Sequence, residues 1–271
     1  VAPLASEALV LRMLDFGESD RIVHLLLADS GRLTAIAKGA RRSIRRFPGT
    51  LDLFHHLRVH VDRGRSGAMA RLDQASLVRA FPRLRAEAAR FALGCYLLEI
   101  LDRLAPEGAA KLDAERLFGF ALAALEQSSS APIDLRLRLL LELRTLDALG
   151  LRPELGRCVR CGGEVADGGE GGERGAPRAR VGFHVAEGGP VCARCAAGIP
   201  GLLPVQLGTL RALESALRLP LRHQGRLVLG ARSLAEARAL LARFQRFHLG
   251  VELRSERVLD ALLPSRGAPA A

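Results

Sequence analysis

In the first eighty residues no amphipathic run reaches helix length, and that restriction does most to limit the fold. Residues 8–14, 21–28 and 32–37 are short apolar runs. They are separated by turns containing glycine, Phe16-Gly17-Glu18-Ser19-Asp20 and Asp29-Ser30-Gly31. The pattern continues through Leu51, Phe54, Leu57, Val59 and Val61, turns at residues 63–67, and resumes over residues 68–72 and 76–80. Alternation with period two and turn punctuation reads as antiparallel strands. About five short strands predict a closed or nearly closed barrel over residues 1–81. The OB-fold is the common nucleic-acid-binding example, and SH3-type barrels have a similar strand count, so counting strands does not separate them.

One connection in this region carries an unusual charge density. Lys38, Arg41, Arg42, Arg45 and Arg46 fall within nine residues. Like charges so close together repel, which folding alone does not explain; phosphates would neutralise them. The whole chain has a formal net charge of +11, unevenly spread. Residues 1–85 hold 15 basic and 8 acidic side chains, and residues 201–271 hold 11 and 5. The stretch between is close to balanced. Anionic polymers are therefore the expected partner class. Whether the polymer is DNA or RNA leaves no trace in the residues, so an RNA-binding or translation-associated protein is the alternative reading.

From Pro82 the period changes to that of helices. Residues 84–105 are apolar over much of the circumference and predict a buried helix, with Cys95 in its core face. Residues 113–126 predict a second, with Asp113 as N-cap, and Ser128-Ser129-Ser130 a linker. Residues 134–149 predict a third, stopped by Gly150. Helical patterning returns over residues 207–217, 233–249 and 255–262, with Ser233 and Glu236 as a capping box. The expected organisation is thus α+β and multi-domain. A barrel over 1–81 is followed by an all-α domain formed by 82–157 and 199–263. A cysteine module over 158–198 is embedded in it, with a polar glycine-rich loop at 167–178, and 264–271 is a frayed tail.

Cys158-Val-Arg-Cys161 and Cys192-Ala-Arg-Cys195 are two C-x-x-C pairs thirty residues apart. Each lets two thiolates on a tight knuckle reach one ion, and two knuckles complete a tetrahedral site. One structural Zn²⁺ per chain is expected; an iron–sulfur centre is the rarer use of the same ligands. Four cysteines close the coordination shell and leave no place for a catalytic water. His184 lies between the knuckles but is surplus.

Nothing else points to catalysis. No phosphate loop, dinucleotide glycine motif, H-E-x-x-H or G-x-S-x-G occurs. Glu99 and Asp102 share a helix face, where solvent or pairing with Arg103 is the plain expectation. His56 and His60 share a strand face without a third ligand. Asp20 and Arg21 read as a pair within a turn. A zinc-dependent enzyme would need an open coordination position, so a non-catalytic protein is expected. No run approaches membrane-spanning length, and no leader-like segment opens the sequence, so cytoplasmic residence is expected.

Several blocks, in order along nearly the whole chain, carry a family resemblance. They are Phe16-Gly-Glu-Ser-Asp-Arg21, Ala37-Lys-Gly-Ala-Arg-Arg42, Tyr96-Leu-Leu-Glu99 with Ala105-Pro-Glu107, Leu149-Gly-Leu-Arg-Pro153 running into Cys158-x-x-Cys161-Gly162, Gly189-Pro-Val-Cys192-x-x-Cys195, and Leu249-Gly-Val-Glu-Leu-Arg-Ser255. The chain resembles the RecO family of bacterial recombination mediators. The resemblance implies an N-terminal OB-fold, a helical body and a zinc-knuckle module. It also implies binding of single- and double-stranded DNA on the nucleoid, and strand annealing. The implied partners are RecR, often RecF, and the acidic C-terminal tail of single-stranded DNA-binding protein, with RecA loaded onto the coated strand. One departure is aromatic poverty: one Tyr and no Trp. Phe47 and Phe54 are the aromatics close to the basic cluster, so phosphate contacts should dominate over base stacking. For the acidic tail, Arg136, Arg138 and Arg144 beside Leu137, Leu140, Leu141 and Leu143 offer an apolar pocket rimmed by cations. The competing expectation is that these leucines are core and the arginines pair with Glu142 and Asp147.

Overall fold

A computed structural model describes residues 4–64, 69–165, 180–250 and 252–263. The glycine-rich segment 167–178 and the tail 264–271 lie outside the described residues. Five strands open the chain: β1 (Leu4–Phe16), β2 (Asp20–Leu27), β3 (Gly31–Ala37), β4 (His55–Asp62) and β5 (Ala70–Ala80). They close into a barrel in the order β1-β2-β3-β5-β4, with β1 also paired to β4. All pairings are antiparallel except β3 with β5, which run parallel through Ala35–Ala70 and Ile36–Arg71. This is the OB arrangement, and it decides between the two barrels that strand count left open.

The alternating pattern does what period two requires. Ala8, Val10, Val23, Leu25, Leu27, Leu57, Val59, Val61 and Leu72 fill the barrel. On the outer face Leu9 and Leu26 are buried as well, where the first helix packs on β1 and β2. The run expected at 76–80 and the part of the run expected at 68–72 from Ala70 onward belong to one strand, β5, kept in step with β4 by register shifts, while Ala68 lies outside the described residues. Leu51 and Phe54 precede β4 rather than belonging to it. Phe54 holds a left-handed backbone (φ 64°), costly for an aromatic residue. Its ring lies against Gly94, where a Cβ would sit 2.8 Å from the ring.

After a 3-10 turn at Pro82–Arg85 come α1 (Ala88–Leu104), α2 (Lys111–Ser130) and α3 (Leu135–Ala148). Asp134 caps α3, accepting from the Leu137 amide at 2.9 Å. The two caps expected from the sequence, Asp113 and Ser233, are absent. α2 starts two residues before Asp113 and has no side-chain cap; Ser233 lies inside a helix that begins at Ala231. The expected serine linker is the last turn of α2. Buried Arg90 donates to the carbonyls of Ser128 and Ala131 there, satisfying the helix end.

The remaining elements are β6 (Arg180–His184), β7 (Gly189–Val191), α4 (Ala193–Ala196), β8 (Leu203–Gln206), α5 (Leu207–Arg218), α6 (Ala231–Leu249) and α7 (Arg254–Leu262). β7, β6 and β8 form a small antiparallel sheet. Compactness divides the chain into two units. One is 1–133 with 253–262, and the other is 134–252 with 263–271. The change from strand to helix at Pro82 is therefore internal to the first unit. α7 returns to that unit: Glu99 accepts from the Arg254 and Ser255 amides at 3.0 and 2.9 Å and from the Ser255 hydroxyl. No helix among the described residues is long and apolar enough to cross a membrane.

Candidate nucleic-acid interface and metal centre

The basic cluster sits on the long connection between β3 and β4. Its inner side chains anchor it: Ala40, Phe47 and Leu51 are buried in the barrel core. Its outer side chains are the cations, and Lys38, Arg41, Arg42, Arg45 and Arg46 are all exposed. The β1–β2 turn fixes the near end of the connection. Asp20 accepts from the Gly39 amide at 2.7 Å, and the Arg41 amide donates to Ser19 at 3.0 Å. Two of the sequence blocks, 16–21 and 37–42, are thus one structural feature. Arg46 is spent partly on the loop itself, donating to the Lys38 carbonyl at 2.6 Å.

The Asp20–Arg21 pairing is not formed. Arg21 binds Asp15 instead, at 2.9 Å, and Arg41 approaches the same carboxylate at 3.7 Å. The backbone at Asp20 is committed to β2, and its side chain to the loop amide. Phe47 is also placed differently from the expectation. It is 3% exposed, with the Arg46 guanidinium 5.4 Å from its ring centre, so it is no open stacking platform, and the little it presents lines the cleft beneath the loop. Phe54 is 1% exposed and equally unavailable. The exposed apolar residues beside the cations are Ile44 (84%), in the loop, and Phe16 (52%), at the turn that holds it. Beneath the loop lies a cleft of about 460 Å³ whose walls include Arg21, Arg41, Arg42, Ile44, Pro48 and Leu51.

The four cysteines converge. Sγ atoms of Cys158, Cys161, Cys192 and Cys195 all lie within 4.8 Å of one another, the single such ligand group among the described residues. Local backbone builds each knuckle. The Cys158 amide donates to Gly163 and the Gly162 amide to Cys158, both at 2.8 Å, with Gly162 in the left-handed region (φ 71°). The knuckles are joined through Val159 to Pro190 at 3.0 Å and through the Cys192 amide to the Cys158 sulfur at 3.4 Å. Close approach at that joint needs Gly189, where a Cβ would lie 2.4 Å from Val159.

Burial pushes the Cys158 thiol up, but amides of Cys192, Cys161 and Arg160 outweigh it and bring it down to about 6. Hydrogen bonding with Cys192 and Cys161 pushes Cys195 the other way, to about 12. Four sulfurs this close cannot all ionise unaided, whereas a soft cation among them would stabilise all four thiolates. The donor set therefore fits a metal ion, and it would be held by these four residues alone. His184 is not among them; its Nδ1 accepts the Glu187 amide at 3.1 Å.

Several partners were not legible beforehand. Glu154 Oε1 accepts three successive amides, Leu155, Gly156 and Arg157, at 2.9–3.1 Å, shaping the approach to Cys158. Asp102 is buried and meets His24 at 2.6 Å, so it is neither a solvent group nor an Arg103 partner; Glu99 caps α7, with Arg103 acting on it as a nearby favourable charge. His56 is buried against Glu7 at 2.9 Å and edge-on to Phe118, away from any metal role with His60. Cys95 is only partly buried, yet burial still pushes its thiol up to about 11.

Of the two expectations for α3, the leucines are core rather than the lining of a pocket. Leu137, Leu140, Leu141 and Leu143 are buried, and Arg138, 2% exposed, is locked to Glu142 at 2.6 Å. Arg144 donates to the Leu217 carbonyl, Asp147 pairs with Arg152, and Arg136 alone stands exposed. A leucine run in a short helix buries, and it takes the intervening arginine with it.

Comparison with known proteins agrees with this architecture. Residues 3–81 match the family model described as "Recombination protein O N terminal", and residues 85–257 match "Recombination protein O C terminal". The chain belongs to the RecO family. A protein of Anaeromyxobacter sp. (strain K) named "DNA repair protein RecO" is 39% identical over 265 residues, covering 96% of each chain. Proteins of the same name from Myxococcus xanthus (strain DK1622) and Roseiflexus sp. (strain RS-1) are 37% and 34% identical, covering 92% and 94% of this chain and 93% and 84% of theirs. The two matched segments meet near Pro82, where strand gives way to helix. RecO membership accounts for the OB barrel, and the four-cysteine cluster is consistent with the family resemblance seen in the sequence.

Proposed function

We propose that the protein is a DNA-binding mediator of recombinational repair that performs no chemistry of its own. Its family membership supports the repair and recombination role. One observation carries the DNA-binding reading: five cations stand exposed on a single irregular connection of an OB barrel while Ala40, Phe47 and Leu51 are buried beneath them. Such a surface holds a strand by its phosphates, through counterion release, without regard to sequence. With Phe47 and Phe54 both buried, bases are left largely unstacked and able to pair, which suits annealing of complementary strands. The cysteine cluster takes one structural Zn²⁺; four thiolates complete its shell and leave no position for substrate. In this reading the protein anneals strands and helps load RecA onto DNA coated by single-stranded DNA-binding protein. RecR, RecF and the acidic tail of the coating protein are its partners.

The test pairs affinity with activity. Arg41→Ala together with Arg42→Ala should weaken binding to all sequences alike and lower the salt slope of log affinity by about 1.4–1.8. The same variant should anneal coated complementary strands poorly, with or without RecR. Unchanged affinity and slope would remove the loop from the interface.

A further inference from the structure

The cleft beneath the basic loop adds a feature that phosphate contacts along an exposed surface do not require. We propose that it is a pocket for one unpaired nucleotide of a DNA strand, and this rests on the reading of the loop as a DNA site. Its volume, about 460 Å³, falls within the roughly 300–1,000 Å³ of small-ligand pockets. Its lining offers both kinds of surface that a nucleotide needs: the guanidiniums of Arg21, Arg41 and Arg42 for phosphate, and Ile44, Phe47, Pro48 and Leu51 as apolar surface for a base. The Asp15 carboxylate contacts both Arg21 and Arg41, so two of the three guanidiniums are positioned before any phosphate arrives. Arg21 also donates to the Leu51 carbonyl at 3.4 Å, tying the cationic surface to the apolar one.

A base in a duplex is paired and stacked, and entering such a cleft would cost its unstacking. An unpaired base enters at little cost. The cleft therefore favours single strands over duplex, and pairing withdraws the base and loosens the hold on annealed product. Phosphate contacts along the exposed cations bind both forms alike.

Ser43 lines the cleft without being a cation, so it can be enlarged while every charge is kept. Ser43→Trp should lower affinity for a single-stranded oligonucleotide at least about tenfold and leave a blunt duplex within about twofold. Ser43→Ala removes the hydrogen bond that the Ser43 hydroxyl accepts from the Arg46 amide at 3.1 Å without filling the cleft, and it measures the part of any loss that belongs to that bond. The unaltered protein should lose a similar factor on an abasic strand of equal length, and Ser43→Trp should lose nothing further on it. Equal affinity of Ser43→Trp and the unaltered protein for the intact strand, or an equal loss on duplex, overturns the pocket. Should Ser43→Trp fail to fold by circular dichroism, the abasic strand decides alone: affinity equal to that for the intact strand refutes a base in the cleft. If the Arg41 and Arg42 double variant weakens binding while Ser43→Trp does not, the pocket falls and the loop reading stands. If neither weakens it, both fall.

Discussion

The two compact units both contain stretches of irregular backbone, and they secure them by opposite means. In the first unit the connection at residues 38–54 turns Ala40, Phe47, Leu51 and Phe54 inward and leaves Ile44 and its cations spread over the surface. In the second, the backbone around Cys158 and Cys192 turns its polar ligand atoms inward until four sulfurs share one small volume. Spread charges match a polymer, whose charges are also spread; converged ligands match a single ion. The folding consequences differ too. The first loop depends on hydrophobic anchors that any barrel can supply. In the proposed reading the second depends on a cation, because binding energy there is folding energy.

The largest test of that contrast is to remove the ion. Zinc binding contributes roughly 10–16 kcal/mol to small zinc modules, and less is at stake where the knuckles share one apolar core with neighbouring helices, as here. Cys161→Ser, or chelation, should release the metal and unfold or loosen the knuckles at 158–165 and 180–196. The barrel should survive. The chain offers a clean reporter: its one tyrosine, Tyr96, is fully buried in α1 of the first unit, and there is no tryptophan. Near-ultraviolet circular dichroism of Tyr96 should be unchanged while cobalt–thiolate absorbance of the cobalt-substituted protein is lost. Collapse of the tyrosine signal with the metal would break the contrast. So would less than half a zinc per purified chain.

The converse test removes an anchor from the first unit. Phe47 is packed among Ala40, Leu51 and the barrel strands, so Phe47→Ala should cost about 3–5 kcal/mol of stability. It should be read as a lower thermal midpoint in the Tyr96 signal with metal content unaltered. Among molecules still folded, DNA affinity should change little. Stability held within about 1 kcal/mol together with a clear loss of single-strand affinity would restore Phe47 as a stacking residue and undo the distinction between inner anchors and outer cations.

The elements that sequence revealed are those set by local period and local chemistry. β1 to β3, the helices and the knuckles all depend on spacing within a few residues, and C-x-x-C needs only its own turn to bring two sulfurs together. What stayed hidden depends on partners far along the chain. Phe47 reads as an aromatic among cations, and only barrel closure shows that it faces inward. Ser128-Ser129-Ser130 reads as linker because the residue that satisfies the helix end, Arg90, lies on another helix. Arg138 looks like a surface cation until Glu142 and the surrounding leucines are seen to bury it. Asp102 gives no hint of His24, and Arg21 binds Asp15 across a strand pair rather than its neighbour Asp20. Burial of a polar residue is a tertiary property, and periodicity cannot report it.

The smallest effect concerns how α7 is kept on the first unit. α7 is short, and its first amides are satisfied by Glu99 rather than by a cap of its own. Burial pushes the Glu99 carboxyl up, but the Ser255 hydroxyl and the Ser255 and Arg254 amides outweigh it, and the group stays below the usual carboxylate range. The unfolded chain, with glutamate near about 4.3, therefore takes up the proton first as pH falls. The stabilisation is fully present above that value and is lost as pH drops through the lower value of the folded state. Glu99→Gln should cost about 1 kcal/mol at neutral pH, as loss of a helix cap does, with the carboxylate's partial exposure keeping the figure small. The difference between Glu99→Gln and the unaltered protein, followed by Tyr96, should shrink on acidification below about pH 4. Because the reporter lies in the first unit, metal release from the cysteine cluster at the same pH does not enter the comparison if the units are as separable as the zinc experiment requires. A difference that stays constant from neutral to acid pH would mean that Glu99 holds α7 by shape rather than by charge.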